Sequence, residues 1–332
     1  MIRILGAGAW GTALAALWSH PQEGTPTAEI ELIAHTAAEA AAISASHQNP
    51  RRLAGVTLSP SVRVRSTEEE LAPLGAGDLL VIAVPSDAIR HALQRAGVGA
   101  AKIVIASKGL SREGERTSES AAAAGANPAS ILILSGPNLA GEIAAGKPAA
   151  AVLAARGDGR DAVLQLLARP TFRLYLSDDP IGVEISGSLK NVLAIAVSGI
   201  RSLGYGENAA AALLARGVAE MARLAEACGG RSETAFGLAG VGDLALTASN
   251  TGSRNARLGE LLASGMPVAA AVEKIGATVE GIPTAHGALQ LAAKLGVEIP
   301  ITAAVVAALE HGVSIERLAQ GLLGRAPTGE WH

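Results

Sequence analysis

Through the first half of the chain, short apolar runs alternate with stretches in which apolar residues recur every three or four positions. The runs are IRIL (2–5), EIELIA (29–34), VRV (62–64), DLLVIAV (78–84), KIVIAS (102–107), ILILS (131–135), AAVLAA (150–155) and FRLYL (172–176). Their length and their Ile, Leu and Val content suit buried strands, and the stretches between them have helical periodicity. Such alternation predicts a parallel sheet joined by crossover helices. Beyond about Ile181 the strand signal stops. The remainder of the chain reads as successive helices, LARGVAEMARLAEA (214–227) and PTAHGALQLAAKL (283–295) among them. The expected fold class is therefore α/β, an N-terminal parallel-sheet domain over 1–180 followed by an all-α domain over 181–332. Neither an internal repeat nor a low-complexity linker separates the two halves. The segment 111–128 reads as a polar, Ala-rich helix.

At 332 residues the chain is too long for one compact core and suits two domains, or one large domain with an appendage. Apolar residues make up 49% of it but aromatics only 2%, so the core must be built from Ala, Val, Leu and Ile, and a stacking platform for bases is excluded. A net charge of −3 with both signs interspersed argues against a nucleic-acid surface, which needs a concentrated basic stripe. Any anionic ligand must be held by a few placed cations. The runs LLVIAV (79–84) and VLAIAV (192–197) fall short of the ~20 residues a membrane span requires, so no span is expected. MIRILGAGAW turns at once into a glycine loop, unlike a signal peptide. The single cysteine, Cys228, excludes an internal disulfide and fits a reducing cytoplasm; its apolar setting favours a core thiol over a nucleophile. No metal site is expected.

GAGAWG (6–11) follows the first predicted strand and opens a helix, placing Gly6, Gly8 and Gly11 in a GxGxxG pattern. Glycines there permit a tight turn, let the main chain approach a pyrophosphate and let the helix pack on the strand, while the helix N-terminus faces the anion. The alternative is an ordinary tight turn. A carboxylate at the end of the second strand would select NAD by binding the ribose 2′-hydroxyl. Here the strand ends in His35 and Thr36, so NADP is expected to be tolerated. Either His35 or the pair Arg51 and Arg52 could contact the 2′-phosphate, or His35 is simply a loop residue. VPS (84–86), SKG (107–109) and SGP (135–137) each follow an apolar run, at the strand ends where open α/β sheets hold ligands. Lys108 is the cation among them, and reads either as a solvated loop lysine or as a ligand to substrate.

In GSLKNVLAIAVSGI (187–200), Lys190 and Asn191 interrupt an otherwise apolar helix. The helical ridge through Lys190 carries Val183, Ser186, Gly187, Ala194 and Val197, with no carboxylate. Its ammonium either snorkels outward or serves a ligand site. Poor hydration and a second cation nearby would lower its pKa and make proton exchange feasible at neutral pH. Asp243, in GLAGVGDLALT, is a lone carboxylate in apolar surroundings; it reads as the partner of Lys190, as a helix N-cap, or as both. In TGSRNARLGELL (251–262), Ser253 reads as an N-cap that leaves Arg254 and Asn255 in the first helical turn, where amides and dipole favour an anion. Otherwise Arg254 is a surface residue.

Taken together, GAGAWGTALA, VPS, SKGL, SGPNLAGE, GVEISGSLKNVLAIA, GLAGVGDLALT, SRNARLGE and VEG resemble, in order and spacing over nearly the whole chain, the bacterial type of NAD(P)-dependent glycerol-3-phosphate dehydrogenase. The resemblance implies a Rossmann-type domain followed by a helical domain, dimeric assembly, and reversible reduction of dihydroxyacetone phosphate to sn-glycerol 3-phosphate for phospholipid synthesis. It makes Lys190 the catalytic lysine and Lys108 the substrate-contacting one. Asn191, Asp243, Thr247, Ser253, Arg254 and Asn255 then surround the substrate, with Gly136 and Asn138 lining the approach. Ala9, Trp10, His35, Lys108, Ala140, Arg254 and Glu280 fall at coenzyme contacts. The chain departs from the bacterial pattern at Asn138, where Ser or Thr is usual, and at Gly141, where a charged residue is usual.

The expected chemistry is hydride transfer from NADH or NADPH to carbonyl C2, with Lys190 as proton donor, Asp243 as its counter-charge, and Arg254 with Asn255 on the phosphate. Two rival activities fit part of the pattern. A dehydrogenase of β-hydroxyacids would have the same layout but want a carboxylate site in place of SRN. A redox sensor would bind coenzyme and need neither Lys190 nor Asp243.

Overall fold

Each of the apolar runs becomes a strand of one sheet in the computed structural model, which describes residues 1–20, 28–157 and 159–323. Residues 21–27 and 158 of the expected first domain, and 324–332 of the second, lie outside the described residues. The strands are β1 (Ile2–Leu5), β2 (Ile30–Ala34), β5 (Arg63–Ser66), β6 (Leu79–Ile82), β7 (Lys102–Ile105), β8 (Ile131–Ser135), β9 (Ala149–Ala154) and β10 (Phe172–Ser177), in the order β10-β9-β8-β7-β6-β1-β2-β5. The helices among them are α1 (Ala9–Ser19), α2 (Ala37–Ser46), α3 (Ile89–Gln94), α4 (Thr117–Ala123), α5 (Ala140–Ala144) and α6 (Arg160–Leu167). Strands β1, β2, β6 and β8 are buried throughout, which is why they read as mainly apolar runs, with Arg3 on β1 and Glu31 on β2 as the charged exceptions.

The central pairings are parallel, with Ile2 opposite both Ile30 and Leu79. The pattern departs from all-parallel at one place, where β9 runs antiparallel to β8 with Ile133 opposite Ala154. Helix α5 between them is only 5 residues, roughly 7 Å at 1.5 Å per residue, too short to carry the chain back along a strand. A second pair, β3 (Gln48–Asn49) with β4 (Leu53–Thr57), is an antiparallel hairpin with no apolar alternation to announce it. Arg3 sits on β1 at 1% exposure beside its register neighbour Glu31. Its guanidinium donates to that carboxylate and to the carbonyls of Ala72 (2.9 Å) and Ala96 (2.8 Å), so the buried charge has both a counter-ion and hydrogen-bond acceptors.

Contacts divide the chain into two units, Met1–Ser107 with Thr117–Pro180, and Lys108–Arg116 with the chain from Ile181 onward. The second unit holds α7 (Pro180–Ser202), α8 (Gly206–Ala227), α9 (Asp243–Ser249), α10 (Arg254–Ala263), α11 (Val268–Ile275), α12 (Gly281–Leu295), α13 (Pro300–His311) and α14 (Ile315–Leu323). Among the described residues α7 is the one helix long and apolar enough to cross a membrane, but 89% of its apolar window is buried inside the fold, as befits a core helix. It crosses α10 so closely that a Cβ on Gly259 would overlap Ile195 O. Cys228 follows α8 and packs against this core, as a structural thiol does. The segment 111–128 is α-helical only over Thr117–Ala123; ahead of it, a tight turn closes with Ser111 N donating to Glu115 O (2.9 Å) and a bridge between Leu110 and Arg116.

Candidate functional site

In the first unit the glycine loop has three separate reasons for glycine. Gly6 has φ +111°, and a Cβ there would lie 2.8 Å from Ala83 O. A Cβ on Gly11 would collide with Gly6 O, so the helix could not pack on the strand. At Gly8 a Cβ would meet nothing within 4 Å, which leaves open space over the N-terminus of α1. That N-terminus has no side-chain cap and no acidic residue in its first turn. Ala9 and Trp10 follow directly, and the buried Trp10 Nε1 has no protein acceptor. An orphaned donor beside an open, uncapped helix end fits a dinucleotide. Asn49, which sequence reasoning passed over, is 3% exposed and donates to Ala7 O (2.8 Å) and Thr12 Oγ1 (3.0 Å), pinning this loop from the hairpin.

At the end of β2, His35 is exposed. The expectation that no carboxylate stands there needs correcting. Glu39 Oε2 accepts from His35 N (3.2 Å) and Glu68 Oε2 accepts from Ala37 N (2.9 Å), two acids that sequence position did not reveal. Arg51 and Arg52 are exposed in the turn of the hairpin. After β8, Gly136 has φ +149° and lies so close to Ala151 that a Cβ would be 2.8 Å from its Cα. Asn138 donates to Pro137 O and Ala150 O, both at 3.0 Å, while its buried Oδ1 has no partner. Ala140 opens α5.

The second unit collects the remaining candidates around one carboxylate. Lys190, on α7, lies with Nζ 3.0 Å from Asp243 Oδ1 and donates to Thr247 Oγ1 at 2.9 Å. Lys108 donates to Asp243 Oδ2 at 2.7 Å. Thr247, one turn along α9, donates back to Asp243 Oδ1 at 3.3 Å. Asp243 is 1% exposed and Lys190 8%, so the lysine does not snorkel outward. Nor is Asp243 an N-cap: Gly242 holds that position, and the carboxylate is engaged by the lysines and Thr247.

Burial dominates the titration of Lys190 and pulls its pKa to about 8, helped by the Lys108 charge and opposed by Asp243. Burial pushes the Asp243 carboxyl up, but Lys108 and Lys190 together outweigh it and hold the group below the usual carboxylate range. The cluster is thus a buried anion between two cations, one of which exchanges its proton near neutrality.

A chain of amides surrounds this cluster. Asn191 Nδ2 donates to Lys108 O (3.2 Å), Asn255 Nδ2 to Asn191 Oδ1 (2.8 Å), and Gly281 N to Asn255 Oδ1 (3.0 Å). Ser253 caps α10 by accepting from Ala256 N at 3.3 Å. Arg254 opens that helix, is exposed, and donates to Thr278 O at 2.6 Å. Glu280 immediately precedes α12. Among the described residues no group of His, Cys, Asp and Glu is arranged to hold a metal ion.

Comparison with known proteins gives concordant results. The model of the NAD-dependent glycerol-3-phosphate dehydrogenase N-terminus matches residues 1–160, and that of the C-terminus matches 179–320. A glycerol-3-phosphate dehydrogenase (NAD(P)+) from Acidovorax ebreus is 42% identical over 334 residues, covering 100% of this chain and 99% of the relative. One from Methylobacterium radiotolerans is 42% identical over 335 residues, covering 99% and 98%. The crystal structure of glycerol-3-phosphate dehydrogenase from Coxiella burnetii is 33% identical and superposes with a TM-score of 0.88, covering 98% of each chain.

Proposed function

Because the chain belongs to the family of NAD-dependent glycerol-3-phosphate dehydrogenases, we propose that it interconverts dihydroxyacetone phosphate and sn-glycerol 3-phosphate with NAD(P)H. The observation that carries this reading is the pair of ammonium groups, Lys190 and Lys108, on the two oxygens of buried Asp243.

Gly6, Gly8, Ala9, Trp10 and Gly11 hold the coenzyme, which when bound supplies the hydride for carbonyl C2. His35, Gly136, Asn138 and Ala140 complete the first unit's contribution. Lys190 Nζ gives its proton to the carbonyl oxygen as charge builds there, and its pKa of about 8 keeps it protonated at neutral pH yet able to release the proton. In the opposite direction the neutral amine takes the proton of the alcohol. Asp243 and Thr247 hold Lys190 in position. Lys108 brings a second positive charge to the developing oxyanion.

Arg254 and the first-turn amides of α10 bind the phosphate, the helix dipole adding to a bidentate donor. Asn191 and Asn255 keep this wall in register with Lys108. Coenzyme binding thus falls mainly to residues 1–180, and substrate binding mainly to 181–332 together with Lys108. Lys108, Arg254 and Glu280 are further coenzyme contacts in this reading, and Gly136 and Asn138 further substrate contacts. The family likeness also supports a homodimer, a cytoplasmic location and a product that feeds glycerophospholipid synthesis.

The test is to follow oxidation of NADH and of NADPH with dihydroxyacetone phosphate, then with ketones derived from β-hydroxyacids. Oxidation driven by the triose phosphate is the expected result. Turnover of the hydroxyacid ketones alone would assign a different dehydrogenase activity, and coenzyme binding with no turnover would leave a sensor.

A further inference from the structure

Lys108 stands at the start of a short excursion. The chain on either side, β7 and α4, belongs to the first unit, whereas Lys108–Arg116 packs with the helices of the second. What keeps it there is a set of contacts to α12 and α7 that do not touch the Lys108 ammonium. Leu110 N donates to Thr284 Oγ1 at 3.3 Å, and Thr284 is fully buried. The turn then presses main chain against main chain: a Cβ on Gly287 would overlap Ser111 O, and one on Gly114, which has φ +85°, would lie 2.8 Å from Gly287 O. Lys294 donates to Glu113 O (3.1 Å) and Arg116 to Glu184 Oε2 (3.5 Å).

We infer that Thr284 and Gly287 of α12 are positioning residues for Lys108, fastening the segment Lys108–Arg116 so that its ammonium stays on Asp243 Oδ2. The inference rests on the reading above that Lys108 serves the reduction. Its physical basis is that the contact at Gly287 leaves no compliant atom. Both sides are backbone, so an added methyl must displace the segment or the helix rather than turn a side chain aside. A ~1 Å misplacement remote from the chemistry can lower a rate on the order of 100-fold. Thr284 makes the complementary polar contact, and only its hydroxyl, not its shape, reaches Leu110 N.

The experiment is a double-mutant cycle on the full chain. Gly287→Ala and Thr284→Val are each made alone and in combination with Lys108→Ala, and kcat and KM for dihydroxyacetone phosphate are measured with the dissociation constant for NADH. With Lys108 present, Gly287→Ala should lower kcat/KM about 10- to 100-fold with NADH affinity unchanged. In the Lys108→Ala background it should lower it less than about threefold, because the residue it positions is gone. Thr284→Val keeps the shape of the side chain, so it carries the same cycle, with a smaller effect, if Gly287→Ala does not fold.

A second readout separates positioning from packing. Lys190 is faced by Asp243, Lys108 and Arg254. Moving only the Lys108 charge away should shift the basic limb of the kcat/KM profile to higher pH. Equal losses in both backgrounds with an unmoved limb would overturn the inference, as would unchanged kcat/KM in both variants. Wild-type turnover in Lys108→Ala itself would instead remove the reading on which the inference rests, and the inference with it.

Discussion

Lys190 and Asp243 are fixed to each other from different helices, Nζ to Oδ1 at 3.0 Å, with Lys108 on the second oxygen at 2.7 Å and almost no solvent at the carboxylate. Two cations and one anion share this space, with Lys108 on its partly exposed side. The net charge of such a cluster is positive, which suits a phosphorylated substrate and a carbonyl oxygen that becomes negative.

The pH dependence comes from the sign of the shift. Burial lowers the Lys190 pKa from 10.5 to about 8. Reduction needs the protonated form, so kcat/KM for dihydroxyacetone phosphate should be level below that pH and fall above it. Oxidation of glycerol 3-phosphate needs the neutral amine and should rise through the same point. Steady-state rates in both directions across the range check this, and parallel profiles would contradict it.

Asp243→Asn keeps the shape and removes the charge. The buried Lys190 ammonium and the partly buried Lys108 ammonium then lack their counter-ion, and breaking a buried pair destabilises by about 3–5 kcal/mol. Lys190 should also lose its proton more readily, moving the basic limb of reduction to lower pH. Urea denaturation and the pH profile of the variant measure the two effects separately.

Arg254→Ala should raise KM for dihydroxyacetone phosphate about 10- to 100-fold through loss of a charge-assisted bond to phosphate, with a smaller effect on kcat. Added guanidinium should restore part of the activity. A KM equal to wild type would move the phosphate elsewhere.

Glu220 offers a test of the fold rather than the site. It lies on α8 at 1% exposure and accepts from Ile301 N, from Thr302 N at 3.2 Å and from Thr302 Oγ1 at 3.1 Å, capping α13 from outside. Burial pushes its pKa up to about 7, and the bonds from Ile301 and Thr302 only partly oppose this. A raised carboxyl pKa means that the folded state binds more protons than the unfolded one between about pH 4.5 and 7. This group's contribution to stability should therefore fall as pH rises through that window and level off above it. Denaturation of wild type and Glu220→Gln at several pH values measures the difference, whose pH dependence should be confined to the same window.

Much of this was legible in the sequence, for reasons that differ from residue to residue. A fully buried strand such as β6 has no polar face and therefore reads as an unbroken apolar run. Lys190 was conspicuous because a charge inside an apolar helix demands a partner, and Asp243 because a carboxylate among Gly, Leu and Val demands one too. The excursion Lys108–Arg116 was invisible, since what holds it is the absence of a side chain at Gly287, some 180 positions along the chain. Glu39 and Glu68 were missed because their carboxylates reach the end of β2 from outside the positions where a strand-ending acid is sought. The reversal of β9 depends on the length of α5, which periodicity does not resolve.

In this mechanism the Lys190 ammonium is the proton donor. The most direct measurement is the turnover of Lys190→Ala with dihydroxyacetone phosphate and saturating NADH or NADPH, alongside the variant's affinity for the coenzyme. The kcat should fall about 100- to 10,000-fold, the range for losing a general acid, with coenzyme affinity nearly unchanged. Turnover comparable to wild type would contradict it.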